Sequence, residues 1–147
     1  MKKSSEGIQI LSSISEENKR EILDDMIDIV ESDLWISVED GYEGNSYWMA
    51  TPEDELDDYE PVGIIEIDES ETTFNKIVSL THEVGHYFLD QDEHFKGKGT
   101  NHIMFVESLA WYLGYKYFAR MGYLIDIDEY KKQSRKCLSE YVGSLNE

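Results

Sequence analysis

Cysteine is almost missing from this chain. Cys137 is the only one in 147 residues, which excludes an internal disulfide and suits a reducing compartment, so a cytoplasmic protein is expected. Positive charge is scarce as well, with 13 lysines and arginines against 32 acids and a formal net charge of −19. Such a chain repels nucleic-acid phosphates and anionic lipid, so neither nucleic acid nor membrane is an expected partner. Long hydrophobic runs are absent, and nothing approaches the roughly 20 apolar residues that a membrane span needs. The start, "MKKSSEGIQILSSISEENK", has two lysines but only a broken apolar segment. No signal peptide is expected from it.

What is present suits a folded protein. Hydrophobic residues make up 40% and aromatics 12%, enough for one domain over 1–147 with its own core. The acids are uneven. "TPEDELDDYE" (51–60) reads as a solvated acidic loop, while "EYKKQSRKC" (129–137) is locally basic. Fixed negative potential favours cations and basic polypeptide segments. Cys137 itself is expected as a small buried apolar residue on a C-terminal helix.

Periodicity supplies the elements. A capping box of Ser13 and Glu16 opens an amphipathic helix with Ile22, Met26, Ile29 and Val30 on one face. "LWISVED" (34–40), "GNSYWMATP" (44–52) and "PVGIIEIDES" (61–70) read as three strands, the last beginning at Pro61 where proline is tolerated. Phe74, Ile77, Leu80, Val84 and Phe88 then follow helical spacing. "QDEHFKGKG" (91–99) reads as a loop. A helix capped by Thr100 or Asn101 runs to Gly122, and a last helix spans 127–145. The layout is α+β, with about three strands in a small antiparallel or mixed sheet packed on helices.

The stretch "SLTHEVGHYFLD" (79–90) carries the chemistry. His82 and His86 are four apart, so on a helix they project side by side and can bind one zinc ion. Glu83 sits about 100° round the helix from His82, beside the metal and not bonded to it. There it can act as general base toward water activated by the metal. Gly85 leaves room for close backbone approach opposite this face. The plain alternative is a helix whose histidines are ordinary surface or core residues.

"VGIIEIDESETTFNKIVSLTHEVGHYFLD" with the downstream "FVESLAW" resembles the H-E-x-x-H metallopeptidases of the gluzincin kind, nearest to the small ImmA/IrrE-type peptidases. The likeness covers about residues 61–120. It implies a zincin-like fold, a zinc-dependent endopeptidase with a polypeptide substrate, an acidic third ligand on a second helix, and a substrate-pairing role for the strand "GIIEID" as a sheet edge. The N-terminal helix and the acidic loop match nothing in that pattern, and no helix-turn-helix module is present, so repressor cleavage is not carried over.

Glu107 is the expected third ligand. His86 lies about 6 Å before a helix end near Asp90, and Glu107 about 8 Å into the next helix if that begins near His102. In antiparallel helices those depths are nearly level, with Met104, Leu109 and Leu113 free to pack. Asp92 has the offset of a different peptidase class, but Leu89 stands where that class needs a glycine turn. His94 and His102 are chemically able, although both fall in or beside the loop. Oxyanion donors are sought among His102, Tyr112 and Tyr115. Trp111, Tyr117 and Phe118 read as core aromatics. A non-catalytic reading stands beside the enzyme: an acidic interaction or inhibitor protein on a metallopeptidase-like fold, with any metal purely structural.

Overall fold

The computed structural model describes the backbone of residues 7–90 and 100–145, and side chains at 7–90 and 105–140. It is α+β. In chain order the elements among the described residues are β1 (Ile8–Ile10), α1 (Glu16–Asp33), β2 (Ile36–Tyr42), β3 (Tyr47–Ala50), β4 (Gly63–Asp68), α2 (Thr73–Asp90), α3 (Thr100–Arg120), β5 (Tyr123–Ile125) and α4 (Ile127–Leu145), with a 3-10 turn at Glu53–Glu55.

Helix α1 starts later than the Ser13–Glu16 box implies. Ser15 is the N-cap, its hydroxyl accepting from the Asn18 backbone N–H at 3.1 Å. Glu16 is used elsewhere: it accepts from the Thr73 hydroxyl and so ties the first turn of α1 to that of α2. Ile22, Leu23, Met26 and Val30 are buried, while Ile29 is only partly covered.

The three central strands form one mixed sheet in the order β2-β4-β3. β4 runs parallel to β2 and antiparallel to β3. Its alternation is clean, with Gly63, Ile65 and Ile67 buried and Ile64, Glu66 and Asp68 half-buried, as one face packs on the helices. This corrects the role given to "GIIEID". Both edges of β4 are taken by neighbours, so it offers no free edge to a peptide, and among the described residues the unpaired edge beside α2 belongs to β3.

Two strands escaped the sequence pattern. β1 and β5 pair in parallel, Ile8 opposite Tyr123 and Ile10 opposite Ile125, and bury all four of those residues. Three residues are too few to display an alternation, and the pairing partners lie at opposite ends of the chain. The pair links the N-terminal segment to the joint between α3 and α4.

Helices α2 and α3 meet at backbone distance. A Cβ on Gly85 would lie 1.8 Å from the Ala110 carbonyl oxygen, and one on Gly114 would lie 1.8 Å from the Thr81 carbonyl oxygen. No side chain fits at either position. The α3 face turned inward is Ala110, Trp111, Gly114, Tyr117 and Phe118; Leu109 and Leu113 are only half-buried, and Met104 is outside the described side chains. Trp111, Tyr117 and Phe118 are core as expected, while Leu109 and Leu113 are displaced from the contact because the small residues Ala110 and Gly114 set it. Among the described residues, no helix is long and apolar enough to cross a membrane.

Candidate metal centre

The tight α2–α3 seam fixes what projects beside it. His82 and His86 leave α2 on one face, and Glu107 comes from the facing turn of α3. The Nε2 atoms of His82 and His86 are 3.1 Å apart. A Glu107 carboxylate oxygen lies 2.9 Å from His82 Nε2, and its other oxygen lies 3.2 Å from His86 Nε2. Each of the three side chains is about four-fifths covered. Among the described residues this is the one group of three or more potential ligands whose donor atoms all fall within 4.8 Å of one another, and it could hold a metal ion. Of the other ligand candidates, Asp92 and His94 lie outside the described residues, as does the His102 side chain.

Electrostatics couple the three groups. Burial pushes His82 below the ordinary histidine range, and Glu107 only partly offsets this. Burial acts the same way on His86, but there the hydrogen bond to Glu107 and the charges of Glu83 and Glu107 outweigh it, so the value is raised. Glu107 is disfavoured as an anion by burial, yet the two histidines overcome that and hold it down at about 2. An ionised carboxylate between two imidazoles is a donor set ready for a cation.

Glu83 stands apart from this cluster. It is 6% exposed, lines the same cleft, and hydrogen-bonds to no described residue. Burial pushes its pKa up to about 8, with the charge of His86 opposing and those of Glu107 and Glu71 assisting.

Trp111 is a core residue, as its sequence context suggests, but it also touches the site. Its ring stacks on the His82 imidazole at 4.2 Å and 13°, fixing the ring plane. Tyr117 and Phe118 are buried, Tyr117 donating to Asp33 at 2.6 Å. Tyr112 and Tyr115 do not reach the cleft. They line a separate hollow between α3 and α4 with Ile127 and Tyr130, which removes them as oxyanion donors.

Cys137 is a further correction. It is exposed, and with Leu138 and Glu140 it forms the α4 wall of the cleft beside His82, Glu83, His86 and Glu107. Partial enclosure, then the carboxylates of Glu140, Glu107 and Glu71, push its thiol pKa up. The opposite wall is Asn45 and Ser46, just before β3. Ser46 donates to Glu71 at 3.1 Å and accepts from the Asp68 backbone N–H at 2.9 Å. Neither wall was visible in the sequence, because no periodicity or spacing links residues 45–46 and 133–140 to a motif at 82–86. No family model, curated protein or solved structure matches this chain.

Proposed function

We propose that this protein is a zinc-dependent endopeptidase of the gluzincin kind, with a zincin-like fold, His82, His86 and Glu107 as metal ligands and Glu83 as general base. The observation that carries the reading is the convergence of three donor atoms with a fourth, unbonded carboxylate beside them. Donors about 2.0–2.1 Å from a tetrahedral zinc stand roughly 3.3 Å from each other. The separations among His82 Nε2, His86 Nε2 and one Glu107 oxygen, 2.9, 3.1 and 3.3 Å, are close to that spacing. Two imidazoles and one carboxylate make up the protein share of a catalytic zinc site, which leaves a position open to substrate or water.

Bound there, zinc supplies Lewis acidity and positive charge, the latter drawing Glu83 toward its ionised form. Glu83 then takes the proton of the attacking water and hands it to the leaving amine. Trp111 keeps the His82 ring in place through its stacked face. The substrate backbone pairs with the free edge of β3, which Trp48 presses against α2 through an edge-on contact with Tyr87 and a hydrogen bond to Asp90.

The test is hydrolysis of an unfolded polypeptide by the purified protein. Cleavage should stop with chelator, return with zinc, and fall at least ~10²-fold in Glu83→Gln while bound zinc is kept. A fully active Glu83→Gln protein removes this reading. Zinc retention with no hydrolysis of any polypeptide favours the non-catalytic interaction protein instead.

A further inference from the structure

We infer that the cleft beside Glu83 selects a lysine or arginine side chain of the polypeptide, held by the carboxylates of Asp68, Glu71 and Glu140. The inference rests on the peptidase reading and adds a substrate class to it. The cleft has a volume of about 490 Å³ and runs from His82 along the start of α2 to the end of β4. Four carboxylates line it, those of Asp68, Glu71, Glu83 and Glu140, against one ammonium group, that of Lys136.

An acidic lining alone would only describe a solvated surface. Here one of the four, Glu83, is more than nine-tenths buried, faces the cleft and has no hydrogen-bond partner among the described residues. A desolvated carboxyl group in that state gains from a donor brought by a guest. Val78 and the ring of Trp111 add an apolar surface along which the alkyl stem of a lysine or arginine can lie.

The carboxylates are also placed for a side chain and not for a second metal ion. Among the described residues, only His82, His86 and Glu107 bring ligand atoms within 4.8 Å of one another. Asp68 and Glu71 line the cleft on the β4–α2 side and Glu140 on the α4 side, which suits a cation that enters between them. Glu71 is the fixed member. Ser79 donates to both of its oxygens at 2.9 and 3.0 Å, and Ser46 to one at 3.1 Å. Ser46 immediately precedes β3, so Glu71 is anchored at the cleft end of that strand. The acidic stretch 51–60 is at the other end of the β3–β4 hairpin, and none of its residues lines the cleft.

Binding can be read without hydrolysis. Blocked, fluorescently labelled heptapeptides with one central lysine, arginine or norleucine are titrated into the chelated protein at 0.15 M salt and followed by anisotropy. Lysine and arginine should bind about tenfold more tightly than the neutral isostere norleucine, as for a partly desolvated charge pair. Glu71→Gln and Glu140→Gln should each cut that ratio to roughly threefold, and the pair together to about one. Glu140 is exposed, so its variant tests the idea even if Glu71→Gln does not fold. Asp57→Asn with Asp58→Asn, in the remote acidic loop, should leave the ratio unchanged. An equal loss from that loop variant would show general attraction to a chain of charge −19 and overturn the inference, as would a full ratio in the double cleft variant. A preserved ratio with no hydrolysis of any polypeptide sinks only the peptidase reading; robust hydrolysis with a ratio of one sinks only this proposal.

Discussion

Helices α2 and α4 face the same cleft and are held in opposite ways. α2 buries ten residues and meets α3 at backbone distance through Gly85 and Gly114. α4 over 127–140 buries only Tyr130, which donates to the Trp111 carbonyl and packs edge-on against its ring. From Lys131 to Glu140 it is exposed or half-exposed, and it carries four of the chain's thirteen lysines and arginines. The difference separates two demands. Groups that must converge within a few tenths of an ångström sit on the packed seam, while groups that meet a variable guest sit on a wall that packing leaves adjustable.

The comparison breaks most severely at the seam. Gly85→Ala puts a methyl group into the Ala110 carbonyl, with no flexible side chain to yield, and should cost about 3 kcal/mol or more in urea denaturation. A parent-like midpoint would mean the two helices are not in backbone contact.

The next effect concerns charge buried on the rigid side. Glu83 has a folded pKa of about 8, above its unfolded value, so the folded metal-free protein binds the extra proton. Stability is then greatest below the unfolded carboxylate range and is lost as pH rises toward 8. Roughly 2 kcal/mol should disappear between pH 5 and 8, once relaxation and water entry have blunted the cost of a buried charge. Chelated parent should show this slope, and chelated Glu83→Gln should be flatter. Parallel pH profiles for the two would contradict the assignment.

Smaller effects belong to α4. Tyr130→Phe removes the hydroxyl that anchors it to Trp111 and should cost about 1 kcal/mol. Arg135→Ala, on the exposed stretch, should change stability by no more than about 0.5 kcal/mol. If Arg135→Ala cost as much as Tyr130→Phe, α4 would be docked along its length and the contrast with α2 would vanish.

The same contrast governs what could be read in advance. The helical face of Phe74, Ile77, Leu80 and Val84, the clean alternation of Ile65 and Ile67, and the projection of His82 and His86 from one face all follow from local period, and each is present in the fold. Glu107 came from matching depths along two helices, and a small shift in where α3 begins did not disturb it, because both glycines hold the level. What could not be read depended on long-range pairing. β1 with β5 joins residues more than a hundred positions apart. The central place of β4 depends on which strand lies on its far side, which the alternation of one strand does not encode. The Ser13–Glu16 spacing matches a capping box, yet Ser15 is the cap and Glu16 is engaged by Thr73 from α2. Cysteine is so often buried that Cys137 reads as an inside residue, but over 127–140 α4 buries only Tyr130, in its first turn.

Zinc content tests the central claim most directly. After exposure to zinc and gel filtration, elemental analysis of the parent should give one zinc per chain, and Glu107→Ala, His82→Ala and His86→Ala should each lose most of it, while Glu83→Gln keeps it. No zinc in the parent, or equal zinc in the parent and the three ligand variants, would contradict the account.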